Sequence, residues 1–241
     1  MLVWERPEPL RKPAASPLSR ERIVAAAVGL ADREGLESVS LRRVAAALEA
    51  GPMRLYGYLS TKEELLDLMV DSVHAEIVPE AAGDGWRETL RDLALRTRRA
   101  ALRHPWLADL LGRRPHLGPN ALARVEACLA VLGRSDGFAR PGAAGQALAT
   151  VDAYVIGAIR RETAELRARV ATGMDNEAWQ PASGPYLTRV LATGRYPALA
   201  AAVEADPSVD PGAMFESGLE CVLDGLALHH RRADGGGGGH G

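Results

Sequence analysis

Three hydroxyl residues, Ser19, Ser40 and Thr61, each stand just ahead of an apolar run with helical spacing. A serine or threonine in that place accepts one of the backbone N–H groups that a helix leaves unpartnered at its start. Behind Ser19, residues Ile23, Ala26, Ala27, Leu30 and Ala31 recur every three or four positions until Gly35 ends the run, which predicts a helix of about four turns. Ser40 opens a short helix whose apolar side is Leu41, Val44, Ala45 and Leu48. After Glu49-Ala50-Gly51, Pro52 suits the first turn of a third helix, where its missing N–H has no partner to lose. Thr61 starts a fourth, with Glu63 and Glu64 at the end the helix dipole favours for acids, and with Leu65, Leu66, Met69, Val70 and Val73 along its buried side. Four helices in about sixty residues leave little room for any other kind of structure.

The same period continues. Helices are expected from Trp86 to Arg103, briefly after Pro105, from Pro119 to Leu132, from Pro141 to about Val170, and from Pro211 to about His230. Between Thr172 and Ser208, Pro181, Pro185, Pro197 and Pro207 predict loop mixed with one or two short helices. No alternating strand pattern and no repeat of fixed period stands out, so the fold class is all-α. The boundaries read as a disordered proline-rich arm (1–18), a helix-turn-helix head (19–65), a larger helical body (66–232) and a flexible glycine-rich tail (233–241).

Composition limits the function classes. The net charge of -2 disfavours a general nucleic-acid coat and a polybasic membrane anchor. The first 62 residues nevertheless hold ten Lys or Arg against seven Asp or Glu, a mildly basic head on an acidic body. Prolines at 7, 9, 13 and 17 interrupt any signal-like apolar run, which predicts a cytoplasmic protein with no membrane segment. Cys128 and Cys221 sit in apolar helical patterns and read as buried small hydrophobes. Neither His104 nor His116 has a partner at metal-ligand spacing, and His229 and His230 diverge around a helix, so neither metal, cofactor nor catalytic set is expected.

Two short helices in close succession, braced by longer ones, form the arrangement in which the second short helix enters the major groove of DNA. Arg42 lies at the start of the first, and Pro52, Met53 and Arg54 at the start of the second, where base edges are read. Arginine can address guanine through two donors, and Met or Pro can lie against a thymine methyl. Ser40, Tyr56 and Tyr58 offer hydroxyls to phosphate, and Lys62 adds charge beside the exposed amides that follow Thr61. Arg43 serves either a phosphate or the solvated face, and Arg54 can point to a phosphate instead of a base.

The stretch SLRRVAAALEAGPMRLYGYLSTKEELL, residues 40–66, resembles the DNA-binding domain of the tetracycline-repressor (TetR) family. Its Leu55-Tyr56, Tyr58-Leu59 and Thr61-Lys62-Glu63 stand at the spacing of that family's recognition helix and following helix start. Sequences around Arg124-Val125-Glu126, Asp136-Gly137-Phe138, Asp152 to Arg160 and Phe215 to Leu228 look like the body of the tetracycline-repressor branch. The resemblance implies that Tyr56 and Lys62 set register on phosphates, that Arg42, Pro52, Met53 and Arg54 choose sequence, and that a homodimer grips a near-palindromic double-stranded operator. One departure is the turn. The family's usual Gly-Val-Ser is Glu49-Ala50-Gly51 here, so Glu49 stands where positive φ suits glycine, and Gly51 replaces a capping hydroxyl.

For the body, the resemblance implies a pocket for a small-molecule inducer. Candidate lining residues are Met69, Val73, Trp86, Leu90, Leu107, Leu111, Leu122, Tyr154 and Trp179, each of which serves more readily as plain core, with His104 and His116 as polar exceptions near the mouth of the pocket. The register that places a drug-metal histidine in tetracycline repressors places Gly112 here, so an apolar or aromatic ligand is expected rather than tetracycline with magnesium. The 141–170 helix carries a stripe of Ala144, Leu148, Val151, Val155 and Ile159. The 211–230 helix carries a bulky stripe (Phe215, Leu219, Val222, Leu226) and a small one (Met214, Gly218, Cys221, Gly225). Two apolar sides fit either a dimer seam through these helices or packing within one chain. The functional expectation is a ligand-responsive repressor. A transcriptional activator of the same kind, or a helical interaction module without DNA binding, are the alternatives.

Overall fold

A computed structural model describes residues 2–9, 18–77, 85–113, 116–172, 176–205 and 210–235, with the side chains of 169–172, 176–183, 205 and 231–235 outside that description. Eleven α-helices are described: α1 (Arg20–Glu34), α2 (Leu41–Ala47), α3 (Pro52–Leu55), α4 (Lys62–His74), α5 (Trp86–Arg103), α6 (Leu107–Leu110), α7 (Pro119–Leu132), α8 (Ala143–Thr172), α9 (Asn176–Leu191), α10 (Pro197–Ala205) and α11 (Pro211–Gly235). The described residues contain no strand.

All three hydroxyl caps act. Ser19, Ser40 and Thr61 accept the N–H groups of Arg22, Arg43 and Glu64 at 3.3, 3.3 and 3.1 Å. Gly35 ends α1 at φ +82, its N–H bonded to Ala31. Glu49 takes φ +51, the one non-glycine residue with positive φ among those described, and the turn closes through an Ala50 N–H to Ala45 C=O bond of 2.9 Å. A glutamate therefore occupies backbone space that costs side-chain-bearing residues about 1–2 kcal/mol.

α1 to α4 form the head, and a single apolar core runs from Ile23 in α1 through Leu55, Leu65 and Met69 into Leu90, Leu107, Val151 and Leu223 of the body. α8 packs on α5 and α11 as the axis of that body, and α10 packs on α9. Two sequence expectations change. The described residues between 172 and 205 are mostly helical, with Pro181 and Pro185 inside α9. Part of the N-terminal arm is packed: Val3 is buried and Arg6 donates to Ser60 Oγ at 3.0 Å and to both oxygens of Glu64. An apolar residue beside a guanidinium gives that segment both a greasy and a charged anchor, which the prolines obscured. Residues 10–17 and 236–241, read as arm and tail, lie outside the described residues.

Candidate nucleic-acid interface and effector site

The single-turn helix α3 presents its outward side chains to solvent. Met53 is 79% exposed and Tyr56 50%, and Pro52, Arg54 and Gly51 are exposed as well, while Leu55 is fully buried and anchors the turn. Exposing a methionine and a tyrosine side by side is unfavourable for an isolated head unless another surface covers them. Arg42 is exposed on α2, and Lys62, half-buried, opens α4. Arg43 reaches Glu34 at 2.6 Å and the Ser38 carbonyl at 3.4 Å, which brings it nearer to the solvated-face reading than to a ready phosphate contact. Ser40 and Thr61 commit their oxygens to capping and keep hydroxyl protons to donate.

Tyr58 corrects its expectation. It is 8% exposed, and its hydroxyl donates to the Leu18 carbonyl at 2.8 Å, while its own carbonyl accepts from Arg20 Nε at 3.1 Å. The side chain ties the segment just ahead of α1 to the recognition segment and has no proton left for a phosphate. Glu64 holds the same corner. Its carboxyl lies below the usual value because Arg6 and then the Ser60 amide donate to it, with burial opposing.

The effector candidates scatter. Met69, Val73, Leu90, Leu107 and Leu111 are closed core, whereas Leu122 is 52% exposed. Trp86 lines a cleft of about 430 Å³ with Phe138, Asp136 and Asp224, and His116 lines one of about 170 Å³ between α4 and the segment after α6. Tyr154 donates to the Phe215 carbonyl at 2.7 Å. The side chain of Trp179 lies outside the described residues. His104, expected at a ligand mouth, is instead buried at the seam between head and body, with Nδ1 2.8 Å from Asp32 and Nε2 3.5 Å from Glu76. Trp106 Nε1 donates to the same Asp32 at 2.6 Å, and Arg103 pairs with Glu76. One α1 carboxylate thereby holds two side chains of the body. A cleft of about 820 Å³ opens beside this seam against Trp106, Thr163 and Arg167.

Sequence reasoning passed over a further link. Asp71, buried on α4, accepts the backbone N–H groups of Asn120 and Ala121 at 3.3 and 2.9 Å and so caps α7 from another helix. A carboxylate three positions after Leu68, on the inward side of an apolar helix, was the available signal. On α7, Arg124 is paired through two nitrogens with Asp152 of α8 at 3.1 and 3.2 Å.

The proposed dimer stripe divides. A side chain at Gly218 would collide with the Tyr154 ring, so that glycine serves packing of α8 on α11 inside the chain. Gly225 faces open space and Cys221 is exposed, a correction to its expected burial. Cys128 is buried, and burial pushes its thiol up to about 11. Among the described residues no His, Cys, Asp and Glu cluster is suited to a metal ion, and no helix is long and apolar enough to cross a membrane.

Known proteins share both halves of this arrangement. Residues 23–69 match the family model for bacterial regulatory proteins of the tetR family, and residues 78–229 match the tetracyclin repressor-like C-terminal domain. The HTH-type transcriptional repressor DrrR1 of Streptomyces coeruleorubidus is 41% identical over 235 residues, covering 94% of this chain and 84% of that protein. The class A tetracycline repressor protein from transposon 1721 of Escherichia coli is 29% identical over 215 residues, covering 87% and 91%. Apo ActR from Streptomyces coelicolor has a TM-score of 0.77 at 29% identity, covering 91% of this chain and all of that one (100%). ActR in complex with actinorhodin has a TM-score of 0.74 at 31% identity, covering 88% and 96%.

Proposed function

Because this chain belongs to the TetR family of DNA-binding transcriptional regulators, we propose that it is a cytoplasmic homodimeric repressor that leaves its operator when a small molecule binds its body. The observation that carries the reading is α3, where Met53, Arg54 and Tyr56 stand exposed on a turn whose inner residue Leu55 is locked in the core. Residues 19–65 read DNA, and residues 66–232 bind effector and pair two chains. A two-fold pair of heads suits a near-palindromic site whose half-sites lie on successive major grooves. Cys221, Gly225 and half-exposed Leu228 on α11 offer the seam, together with α8. The relative solved with actinorhodin supports a small organic effector, and the apolar interior favours an apolar or aromatic one.

Release follows from α4, which starts at the head with Thr61-Lys62 and is held to α7 through Asp71. A ligand that shifts α7 moves α4 and changes the separation of the heads, provided its affinity differs between the two arrangements. Selection of genomic fragments on the purified protein, followed by a mobility-shift titration, tests the reading. Retention of full affinity by a folded, dimeric Tyr56→Phe, Lys62→Ala variant would sink the contact assignment.

A further inference from the structure

α3 is a single turn of four residues, and a helix that short does not hold its own shape in water. Its outward side chains keep one geometry only if something outside the turn fixes them. Leu55, fully buried, does so from below. The segment ahead of α1 does so from the side. Val3–Glu5 form one 3₁₀ turn, in which Val3 is 3% exposed, and Trp4 shares the wall of a groove with Val24 and Val28 of α1 and Leu68 of α4. This strap is therefore seated on the core of the head. Beyond that seat, Arg6 Nη2 donates to Glu64 Oε1 at 2.7 Å, and its Nη1 donates to Glu64 Oε2 and Ser60 Oγ at 3.2 and 3.0 Å. Glu64 Oε2 also accepts the Ser60 N–H at 2.6 Å. Pro9 then lies over Gly57, where a Cβ would meet its ring at 3.4 Å. The three partners Gly57, Ser60 and Glu64 flank Tyr56 and Lys62, the side chains proposed for phosphate.

We propose that residues 2–9 are a working part of the DNA-reading head, with Arg6 as a positioning residue that fixes the corner between α3 and α4 and covers the Glu64 carboxylate. This rests on the DNA-binding reading above and adds to it a determinant outside residues 23–69, the part of the head that matches the family model. Two physical effects act together. The planar fork of Arg6 closes on both carboxylate oxygens, so it sets direction as well as distance, which a single point charge does not. Both side chains are only about one-fifth exposed, so salt screens the pair less than it screens a fully solvated one. Holding a recognition turn in its bound form lowers the ordering cost of association. The second effect is charge. Without Arg6, Glu64 would leave a bare carboxylate two residues from Lys62, and an approaching phosphate would meet like charge.

The test uses the full chain and a labelled duplex bearing the site recovered by genomic selection, titrated by mobility shift over a range of salt concentrations. Arg6→Ala is expected to weaken binding about five- to tenfold with the salt slope unchanged. Its melting temperature and dimer should stay close to wild type, since a partly exposed ion pair adds little to global stability. Arg6→Lys, which keeps the charge and cannot close the fork, should fall between the two. Adding Glu64→Gln to Arg6→Ala should recover part of the loss, because no bare carboxylate then faces the phosphates. Full affinity in Arg6→Ala overturns the proposal. A slope that drops by about one unit overturns it as well, since Arg6 would then be a phosphate contact itself. So does a double variant that binds no more tightly than Arg6→Ala, because Arg6 would then act independently of Glu64. Should Arg6→Ala unfold, Arg6→Lys carries the comparison, and wild-type affinity in it overturns the role of the fork. Absence of operator binding by wild type overturns the regulator reading together with this one, whereas a wild type that binds beside an equally strong Arg6→Ala overturns this one alone.

Discussion

Asp71 of α4 accepts the backbone N–H of Ala121 at 2.9 Å, so the first turn of α7 is capped by a side chain from a helix that begins in the DNA-reading head. Asn120 strengthens the joint, its side-chain amide donating to the Asp71 carbonyl and carboxylate at 3.1 Å each. Gly118 lets the two backbones approach, since a side chain there would run into the Asp71 carboxylate. With Arg124 and Asp152 the chain of contact extends from α4 through α7 to α8.

Asp71→Ala leaves the buried Ala121 N–H and the part-buried Asn120 N–H unanswered and is expected to cost about 1–3 kcal/mol. Gly118→Ala should destabilise through the same joint. Urea denaturation with unchanged slope and a lowered midpoint would register both.

Tyr56 and Tyr58, two residues apart, should separate cleanly. The Tyr56→Phe, Lys62→Ala pair should weaken operator binding and flatten the salt dependence by about one unit for each phosphate no longer neutralised. Tyr58→Phe should leave the salt slope alone and lower stability by about 0.5–1.5 kcal/mol, since it loses the bond to Leu18.

Glu49→Gly should stabilise the chain by roughly 0.5–1 kcal/mol, the relief of a side chain at φ +51 less the added freedom of glycine when unfolded. An equilibrium denaturation comparison checks it, and an unchanged or lowered midpoint would mean the Glu49 side chain makes a compensating interaction.

Acid should act through Glu220, which Arg91 and then Arg87 hold down to about 2 from an ordinary 4.5. A carboxyl whose folded value is depressed adds stability above its unfolded value, and that addition fades as pH falls through the folded one. The melting difference between wild type and Glu220→Gln should therefore be full at pH 6 and shrink from about 4.5 down to about 2. A difference that persists unchanged to pH 2 would assign it to packing.

The two α11 glycines should also part company. Gly225→Glu places a charge on the outward stripe and should shift sedimentation toward monomer with the fold intact, whereas Gly218→Ala should lower stability by forcing Tyr154 aside. Dimer retained at micromolar concentration in Gly225→Glu would move the seam elsewhere.

Helix existence and the place of the recognition turn were legible because local rules decide them. Ser19, Ser40 and Thr61 cap neighbours three positions away, and the apolar spacing of α1, α4, α5, α7, α8 and α11 follows from a 3.6-residue turn. Even the awkward turn could be read, since Glu49 stands where a positive φ was needed. The tertiary structure alone decided which polar atoms are spent inside the fold. Tyr58 looks like its neighbour Tyr56 until the Leu18 carbonyl takes its proton, and His104 looks like a ligand contact until Asp32, seventy-two positions earlier, meets it. Asp71 and Arg6 gain their roles from partners 50 and 58 positions distant. Periodicity tells which face of a helix is buried, but the partner on that face comes from chain folding over long range, and a hydrogen bond between distant residues leaves no local spacing to read.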